Sequence, residues 1–372
     1  MGNCISTKRG QKEGASTSND QKKDAGDYGA DKDQNVNDNQ DFDGSPAIIV
    51  MGGVYSTRLS KHISECCKTL KESAREGYKI LMNDGTAVDA VEKAVSILED
   101  CDLFMIGRGS PLNSEGEVEC DAMIMDGDTL KTGVVISGRH FKNPVCLSRK
   151  IMEETPHCAL SGDGALNFAL SKGFPCCSPN ELINKQKRLP PEYFEAYVKF
   201  FYNGGPFPDI SPDIYPEEAF TCDTACAVAI DRHGKLACAS STGGIAGKLK
   251  GRVSDTALVG CGGYANEKGA AAATGQGEKL IKFNFAKQIV IEIENEKSVQ
   301  EAVQSAVDLL KKSKLDGCAG GIAIDRHGNI GKAFKNDLMP WVSIKNDEMK
   351  LGLKRDDEGN YPFEIIENNG NN

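Results

Sequence analysis

Four short segments between residues 221 and 278 carry the side chains of this chain that could do chemistry. Thr224 has a hydroxyl group, which is a weak nucleophile and attacks a carbonyl only with the help of a base. Arg252 offers a planar fork that fits a carboxylate, and Asp255 can accept hydrogen bonds from an ammonium group. Together they could hold the two charged ends of a free amino acid, or they could form an ordinary ion pair in a solvated loop. The segments are 221–230, 241–244, 251–255 and 273–278.

The last segment, Thr274-Gly275-Gln276-Gly277, is a glycine-rich turn before a predicted helix. Helix N-termini present unpaired N–H groups and favour negative charge. The Thr274 hydroxyl and the Gly275 N–H are therefore candidates to hold an oxyanion. Thr274 could instead cap the helix, and both uses are compatible.

In this order, the four segments resemble those of the N-terminal-nucleophile hydrolases of the plant-type asparaginase family, which includes glycosylasparaginase and threonine aspartase. The likeness extends from about residue 47 to about residue 339. It implies that the chain cleaves itself before Thr224 and then uses this residue as its nucleophile. Thr242, in Ser-Thr-Gly-Gly, resembles the threonine that hydrogen-bonds the nucleophile, although Ser241 competes for that role. The substrate-binding residues that the resemblance implies are Arg252, Asp255 and Gly277.

The chemistry of Thr224 explains why self-cleavage is needed. An N-terminal threonine carries its own base, because a free α-amine has a pKa near about 7.7 and is partly neutral at cellular pH. That amine does not exist until the bond between Asp223 and Thr224 breaks. In the precursor, the Thr224 hydroxyl would attack the Asp223 carbonyl to give an ester that water opens. The Asp223 carboxylate is the candidate to move the proton.

Two positions depart from the family pattern. Met51, in Met51-Gly52-Gly53, replaces the usual His, and Met105 stands where asparaginases commonly have Asn. Residues 121–127 and 269–275 resemble glycosylasparaginase, whereas residues 116–122, 173–180 and 260–262 resemble threonine aspartase. Threonine aspartase replaces the ammonium-binding Asp, but Asp255 is kept here, which favours a substrate with a free α-amine.

The leading interpretation is therefore an amidohydrolase that acts on the β-amide of asparagine or on β-aspartyl peptides through a β-aspartyl-Thr224 ester. The alternatives are a threonine aspartase-type endopeptidase, a glycosylasparaginase, and a membrane-tethered protein that stays uncut and is not an enzyme. The resemblance implies no redox cofactor or catalytic metal but allows a structural sodium ion. It also suggests a homodimer of processed units.

Composition excludes several other classes. The chain has 372 residues, 39% of them hydrophobic and 26% charged, as in a globular protein with a sizeable core. Its net charge of −10 argues against nucleic acid as a partner. The 14 cysteines are scattered without zinc-type spacing, and we predict that they are reduced.

The N-terminal run Met1-Gly2-Asn3-Cys4-Ile5-Ser6 fits the N-myristoylation pattern, with Gly2 as acceptor. Since one acyl chain gives only marginal membrane binding, Cys4 is the candidate for a second, palmitoyl chain. Residues 1–44 are polar and predict a disordered tail. The sequence start shows no apolar leader, so we expect a cytoplasmic protein anchored to the cytoplasmic face of a membrane.

Hydrophobic periodicity predicts an α+β protein, and the resemblance implies a four-layer αββα sandwich. Residues 47–51 predict a buried strand, residues 59–99 two helices, and residues 277–291 and 299–310 two more. The repeated Ile-Asp-Arg-His-Gly at residues 230–234 and 324–328 predicts two hairpins. We divide the chain into the tail, an α-subunit part (45–223, with a flexible linker at about 178–221) and a β-subunit part (224–372).

Overall fold

The computed structural model describes residues 42–54, 63–183, 189–203, 224–354 and 359–362. The fold combines helices with two sheets and confirms the predicted α+β class. The helices are α1 (Ile63–Met82), α2 (Ala87–Asp100), α3 (Pro144–Glu154), α4 (Gly162–Ser171), α5 (Phe194–Asn203), α6 (Gly277–Phe283), α7 (Phe285–Glu294) and α8 (Val299–Lys312).

Thirteen strands of the described chain form the sheets: β1 (Ala47–Met51), β2 (Cys120–Asp126), β3 (Thr132–Gly138), β4 (Ala159–Ser161), β5 (Ala225–Ile230), β6 (Leu236–Thr242), β7 (Gly263–Ala265), β8 (Gly269–Gly275), β9 (Ala319–Asp325), β10 (Ile330–Phe334), β11 (Trp341–Lys345), β12 (Glu348–Gly352) and β13 (Gly359–Pro362). One sheet has nine strands in the order β13-β12-β11-β1-β5-β6-β2-β3-β4. The other has four, in the order β10-β9-β8-β7. The predicted strand at 47–51 is confirmed as β1.

Strand β1 shows how the central strands are built. Successive side chains of a strand point to opposite faces. Ile48 and Val50 join a core cluster with α1 and α2, whereas Ile49 and Met51 join a second cluster with strands of the four-stranded sheet. A third cluster lies between that sheet and the helices α7 and α8. Because β1 is buried on both faces, its sequence is a continuous apolar run.

The predicted helix positions hold except at one point. The capping box of α2 is formed, with the Thr86 hydroxyl accepting from the Asp89 N–H at 3.1 Å. The single helix predicted over residues 277–291 is wrong, because Asn284 adopts a left-handed conformation (φ 56°) and separates α6 from α7. Asparagine is one of the few residues that adopt this conformation readily.

The repeated Ile-Asp-Arg-His-Gly motifs form the two predicted hairpin turns, β5–β6 and β9–β10. In each turn the aspartate accepts a backbone N–H two residues later at 2.9 Å, as Asp231 does from His233 and Asp325 from His327. The glycine that closes each turn has a positive φ, 72° at Gly234 and 73° at Gly328. Glycine adopts this conformation without steric cost.

Several predictions fall partly or wholly outside the described residues. The tail lies outside except for residues 42–44, and Gly2 and Cys4 belong to the part that is not described. The linker predicted at about 178–221 is described at 178–183 and 189–203, where α5 forms. The division into α- and β-subunit parts stays a prediction. Across the described ranges, none of the cysteines forms a disulfide.

Candidate active site

Thr224 immediately precedes β5 and is 3% exposed. Strands β5 and β6 pair antiparallel with Ala225 opposite Ser241, so the continued register places Thr224 opposite Thr242. Cys226, two residues along, donates its thiol to the carbonyl of Ala273 at 3.4 Å. The start of β5 is therefore adjacent both to the end of β6 and to the part of β8 that leads into Thr274.

Thr242 supports the glycine turn that follows it. Its hydroxyl accepts the Gly244 N–H at 3.0 Å, while the Gly243 N–H donates to the Met105 carbonyl at 2.6 Å. A Cβ on Gly243 would lie 2.5 Å from Ser110 Cβ, so only glycine allows this approach. The segment containing Met105 thus holds the turn through its backbone, whatever its side chain is.

The predicted substrate-binding residues converge on one point. Gly277 begins α6, and a Cβ there would lie 2.8 Å from both Arg252 Nη2 and Asp255 Oδ1. A Cβ on Gly244 would lie 3.1 Å from Arg252 Nη1. The structure therefore brings Arg252, Asp255 and Gly277 together and links them to the Thr242 turn. A guanidinium and a carboxylate this close can hold the two charged groups of one amino acid.

Arg252 already has a carboxylate partner within the chain. Its Nε and Nη2 donate to Glu278 Oε1 and Oε2 at 2.9 and 3.0 Å. Burial alone would raise the pKa of Glu278, but the bonds and charge of Arg252 hold it below its ordinary value. A substrate carboxylate that binds Arg252 must therefore share or displace Glu278.

The C-terminal end of helix α5 contacts the ion pair between Arg252 and Glu278. The Tyr202 hydroxyl donates to Glu278 Oε1 at 2.6 Å, and Gln276 Nε2 donates to the carbonyls of Phe201 and Tyr202 at 2.8 and 3.2 Å. Burial and the neighbouring Glu278 raise the pKa of Tyr202 to about 12. Helix α5, which precedes Thr224 in the chain, thus covers part of the candidate site.

Thr274 and Gly275 end β8 beside α6. Thr274 is fully buried, and its hydroxyl has no hydrogen-bond partner within the described residues. A buried hydroxyl without a partner costs about 1 to 3 kcal/mol, so a ligand oxygen there would recover a lost interaction. Gly275 has φ 141°, and a Cβ would overlap the carbonyl oxygen of Cys318. The backbone can take this path only with glycine.

Two buried carboxylates that the sequence analysis did not assign hold the loop that bears Arg252. Asp121 accepts the N–H groups of Ser137 and Ser254, both at 2.7 Å. Glu119 accepts the Gly251 N–H at 3.0 and 3.2 Å. The signal was present, since acidic residues stand at positions 119 and 121, directly before the apolar residues 122–125 of β2.

Lys248 is a third residue that the sequence analysis missed. It is 3% exposed, and its ammonium donates to the carbonyls of Glu119 and Gly243 at 2.7 and 2.8 Å. Burial lowers its pKa from the ordinary lysine value, whereas the nearby Asp121 opposes that shift. Lys248 therefore ties the glycine turn to the strand that carries the two carboxylates.

Glu99, at the end of α2, is a buried acid beside the candidate site. It accepts the Val145 N–H at 3.0 Å at the start of α3. Burial raises its pKa to about 8. This carboxyl group is therefore mostly protonated at neutral pH.

Asp223, the predicted residue before the cut, lies outside the described residues. No group of three or more His, Cys, Asp or Glu side chains in the described ranges is placed to hold a metal ion. The structural sodium ion stays a prediction. In the part of the chain that is described, no helix is long and apolar enough to cross a membrane.

Comparison with known proteins shows which protein family this chain belongs to. The sequence profile of the family described as Asparaginase matches residues 44–353. The chain therefore belongs to the asparaginase family and is an amidohydrolase.

Particular relatives are similar over nearly their whole length. An isoaspartyl peptidase/L-asparaginase of Mus musculus is 40% identical over 315 residues, which are 84% of this chain and 92% of the relative. The protein of the same name from Danio rerio is 38% identical over 322 residues, 86% and 98% of the two chains. A plant-type L-asparaginase of Pyrococcus horikoshii is 36% identical over 311 residues, 82% and 99% of the two chains.

Proposed function

We propose that this chain cleaves itself before Thr224 and then hydrolyses the β-amide of asparagine or of β-aspartyl peptides. The observation that carries the proposal is the convergence of Arg252 and Asp255 on Gly277, each 2.8 Å from a Cβ placed there. Such a pair fits a free α-carboxylate and a free α-amine. The names of the relatives from Mus musculus and Danio rerio agree with this substrate class.

In the self-cleavage step, the Thr224 hydroxyl attacks the Asp223 carbonyl and the C–N bond between the two residues breaks. The nitrogen leaves as the α-amine of Thr224, with a proton, while the new ester joins the Thr224 oxygen to the Asp223 carbonyl carbon. Water then hydrolyses the ester and frees the hydroxyl. Together, the two products contain the atoms of one added water molecule, with its OH on the Asp223 carboxyl group and its remaining hydrogen on the Thr224 hydroxyl.

In turnover, the free α-amine accepts the proton of the Thr224 hydroxyl as that oxygen attacks the β-carbonyl of the substrate. The developing oxyanion would lie against the Thr274 hydroxyl and the Gly275 N–H, and both would donate to it. Ammonia or a peptide amine leaves with a proton, and water hydrolyses the β-aspartyl ester to release aspartate. Thr242, opposite Thr224 in the continued register, would orient the nucleophile.

Intact mass under denaturing conditions tests the first step. The wild-type chain should give two fragments that meet between residues 223 and 224, and Thr224→Ala should give one intact chain. The matched variant Thr224→Ser keeps a hydroxyl and should still be cut. A wild-type chain that stays whole after long incubation would refute self-cleavage.

A substrate screen on the cut protein tests the second step. Asparagine and a β-aspartyl dipeptide should release aspartate, and blocking the α-amine or the α-carboxylate of either should abolish turnover. Faster hydrolysis of glycosylated asparagine, or of an internal aspartyl bond in a protein, would instead assign the chain to one of the two alternative activities.

Three finer proposals accompany this function. The three core clusters support a four-layer αββα arrangement, because one lies on each face of the four-stranded sheet and one between the other sheet and α1 and α2. The homodimer of processed units can be tested by measuring the solution mass. Acylation at Gly2 and Cys4 predicts an N-terminal fragment heavier by the two acyl groups, and Gly2→Ala should remove the myristoyl mass.

A further inference from the structure

A cavity of about 330 Å³ lies between β10 of the four-stranded sheet and β11 and β12 of the nine-stranded sheet. This volume is at the lower end of the range for small-molecule sites. The side chains that give the cavity its character are Lys332, Trp341, Ser343, Lys345, Glu348 and Lys350. None of them belongs to the candidate active site.

The strand periodicity explains why this cavity is polar. Trp341, Ser343 and Lys345 alternate along β11 and so share the face toward the four-stranded sheet, whereas Val342 and Ile344 pack with the helices on the other face. On the neighbouring strand β12, the residues opposite Ser343 and Lys345 are Lys350 and Glu348. Along this face of β11, the apolar Trp341 is therefore followed by the polar Ser343 and the charged Lys345.

The charge of the lining is net positive, since three lysines face one glutamate in a chain whose net charge is −10. The Lys332 ammonium lies 4.4 Å from the centre of the Trp341 ring, and the Lys345 ammonium donates to the Gly328 carbonyl at 2.9 Å. These contacts hold two of the lysines in place. A compact anion with several oxygens would pair with the cluster better than a monovalent carboxylate would.

Trp341 adds a hydrogen-bond donor. The indole nitrogen is buried and has no partner within the described residues, although the residue lines the cavity. An indole N–H can only donate, so an acceptor oxygen would satisfy it if a ligand displaced the groups that cover the nitrogen. Ser343, which is 5% exposed, lines the same cavity with a hydroxyl.

The cavity lies beside Phe42 and Ser45, at the start of the described part of the chain. A Cβ on Gly328, which lines the cavity, would lie 3.4 Å from the Phe42 ring and 3.6 Å from the Ser45 carbonyl oxygen. Phe42, the first described residue, therefore lies close to the lysines that line the cavity.

We propose that this cavity binds a phosphate-bearing anion, either the phosphorylated headgroup of a lipid or a free phosphorylated molecule. Both sources present a dense cluster of acceptor oxygens to Lys332, Lys345 and Lys350. The two sources differ in whether the phosphate is attached to a membrane, and binding experiments can separate them.

The test uses the purified full chain without acyl groups. Binding is measured to phosphatidylcholine vesicles that contain phosphatidylinositol bisphosphate, and to vesicles of equal surface charge that contain phosphatidylserine. Titration calorimetry with soluble inositol trisphosphate is the second arm. The double variant Lys332→Gln/Lys350→Gln is compared with Lys311→Gln/Lys312→Gln, a matched pair of lysines on α8.

Selective binding to the phosphoinositide vesicles that falls about 30-fold in the Lys332/Lys350 variant, with the α8 variant unchanged, supports a lipid headgroup. That fold-change corresponds to about 1 kcal/mol for each lysine. The same loss with soluble inositol trisphosphate, without vesicle binding, supports a free phosphorylated ligand. Absence of binding in both arms, or an equal loss in both double variants, overturns the proposal. Unchanged hydrolytic activity of the variants excludes misfolding as the cause.

Discussion

Asp121 offers the sharpest test of how the candidate site is held. Its two carboxylate oxygens each accept a backbone N–H at 2.7 Å, one from Ser137 and one from Ser254, next to Asp255. In Asp121→Asn the side chain keeps its shape but has only one acceptor oxygen. One N–H must therefore face an amide donor, and the remaining bond loses its charge.

The magnitude follows from these two bonds. A buried N–H without an acceptor costs about 1 to 3 kcal/mol, and the change from a charged to a neutral acceptor costs about 1 kcal/mol more. We expect Asp121→Asn to lower the free energy of unfolding by about 2 to 4 kcal/mol. Since the lost anchor lies next to Asp255, KM should rise about tenfold, while kcat changes less.

Denaturant unfolding and steady-state kinetics of the enzyme measure both effects. Asp126→Asn is the matched control, because Asp126 lies on the same strand but binds only its own turn, through Asp128 and Thr129 at 3.0 and 2.6 Å. It should change stability by less than about 1 kcal/mol and leave KM unaltered. If Asp121→Asn changes the free energy of unfolding and KM as little as Asp126→Asn does, Asp121 does not anchor the loop that bears Arg252.

Three further substitutions test other parts of the site. Because burial raises the folded pKa of Glu99 from 4.5 to about 8, the folded state binds this proton more tightly than the unfolded state. Stability should therefore fall as pH rises from about 4.5 to about 8, by at most about 5 kcal/mol, and Glu99→Gln should remove that part of the slope in unfolding free energy against pH. Tyr202→Phe deletes the 2.6 Å bond to Glu278, so α5 should compete less with substrate and KM should fall, by up to about tenfold. Gly275→Ala would push a methyl group into the Cys318 carbonyl and should lower kcat by about 100-fold or more.

Each of these has an outcome that contradicts it. If the slope of unfolding free energy against pH persists in Glu99→Gln, a group other than Glu99 causes that slope. Tyr193→Phe, in the same segment as Tyr202, is the control for a change in packing, and equal KM values in the two variants would exclude a role of the hydroxyl. Gly116 also has a positive φ, 78°, but open space around it. If Gly116→Ala lowers kcat as much as Gly275→Ala, strain and not the oxyanion position is responsible.

Much of the local structure could be predicted from the sequence because it depends on neighbouring residues. The apolar run at residues 47–51 placed β1, the period-3.6 pattern placed α1 and α2, and the repeated Ile-Asp-Arg-His-Gly placed both hairpin turns. The boundary between α6 and α7 could not be read from periodicity, since the apolar positions continue across it. A single backbone conformation, at Asn284, decides that break.

The candidate site, like the fold, could be predicted from the sequence only in part. The sequence by itself determined which residue types are present for chemistry, namely Thr224, Arg252 and Asp255, because their segments have a recognisable local order.

Only the tertiary structure decided what surrounds them. The bonds from Arg252 to Glu278 and from Asp121 to Ser254 join residues 26 and 133 positions apart. No local pattern specifies such pairs, because they depend on how strands and loops distant in the chain pack together. The same is true of Tyr202, which the sequence places in a linker and the fold places against Glu278.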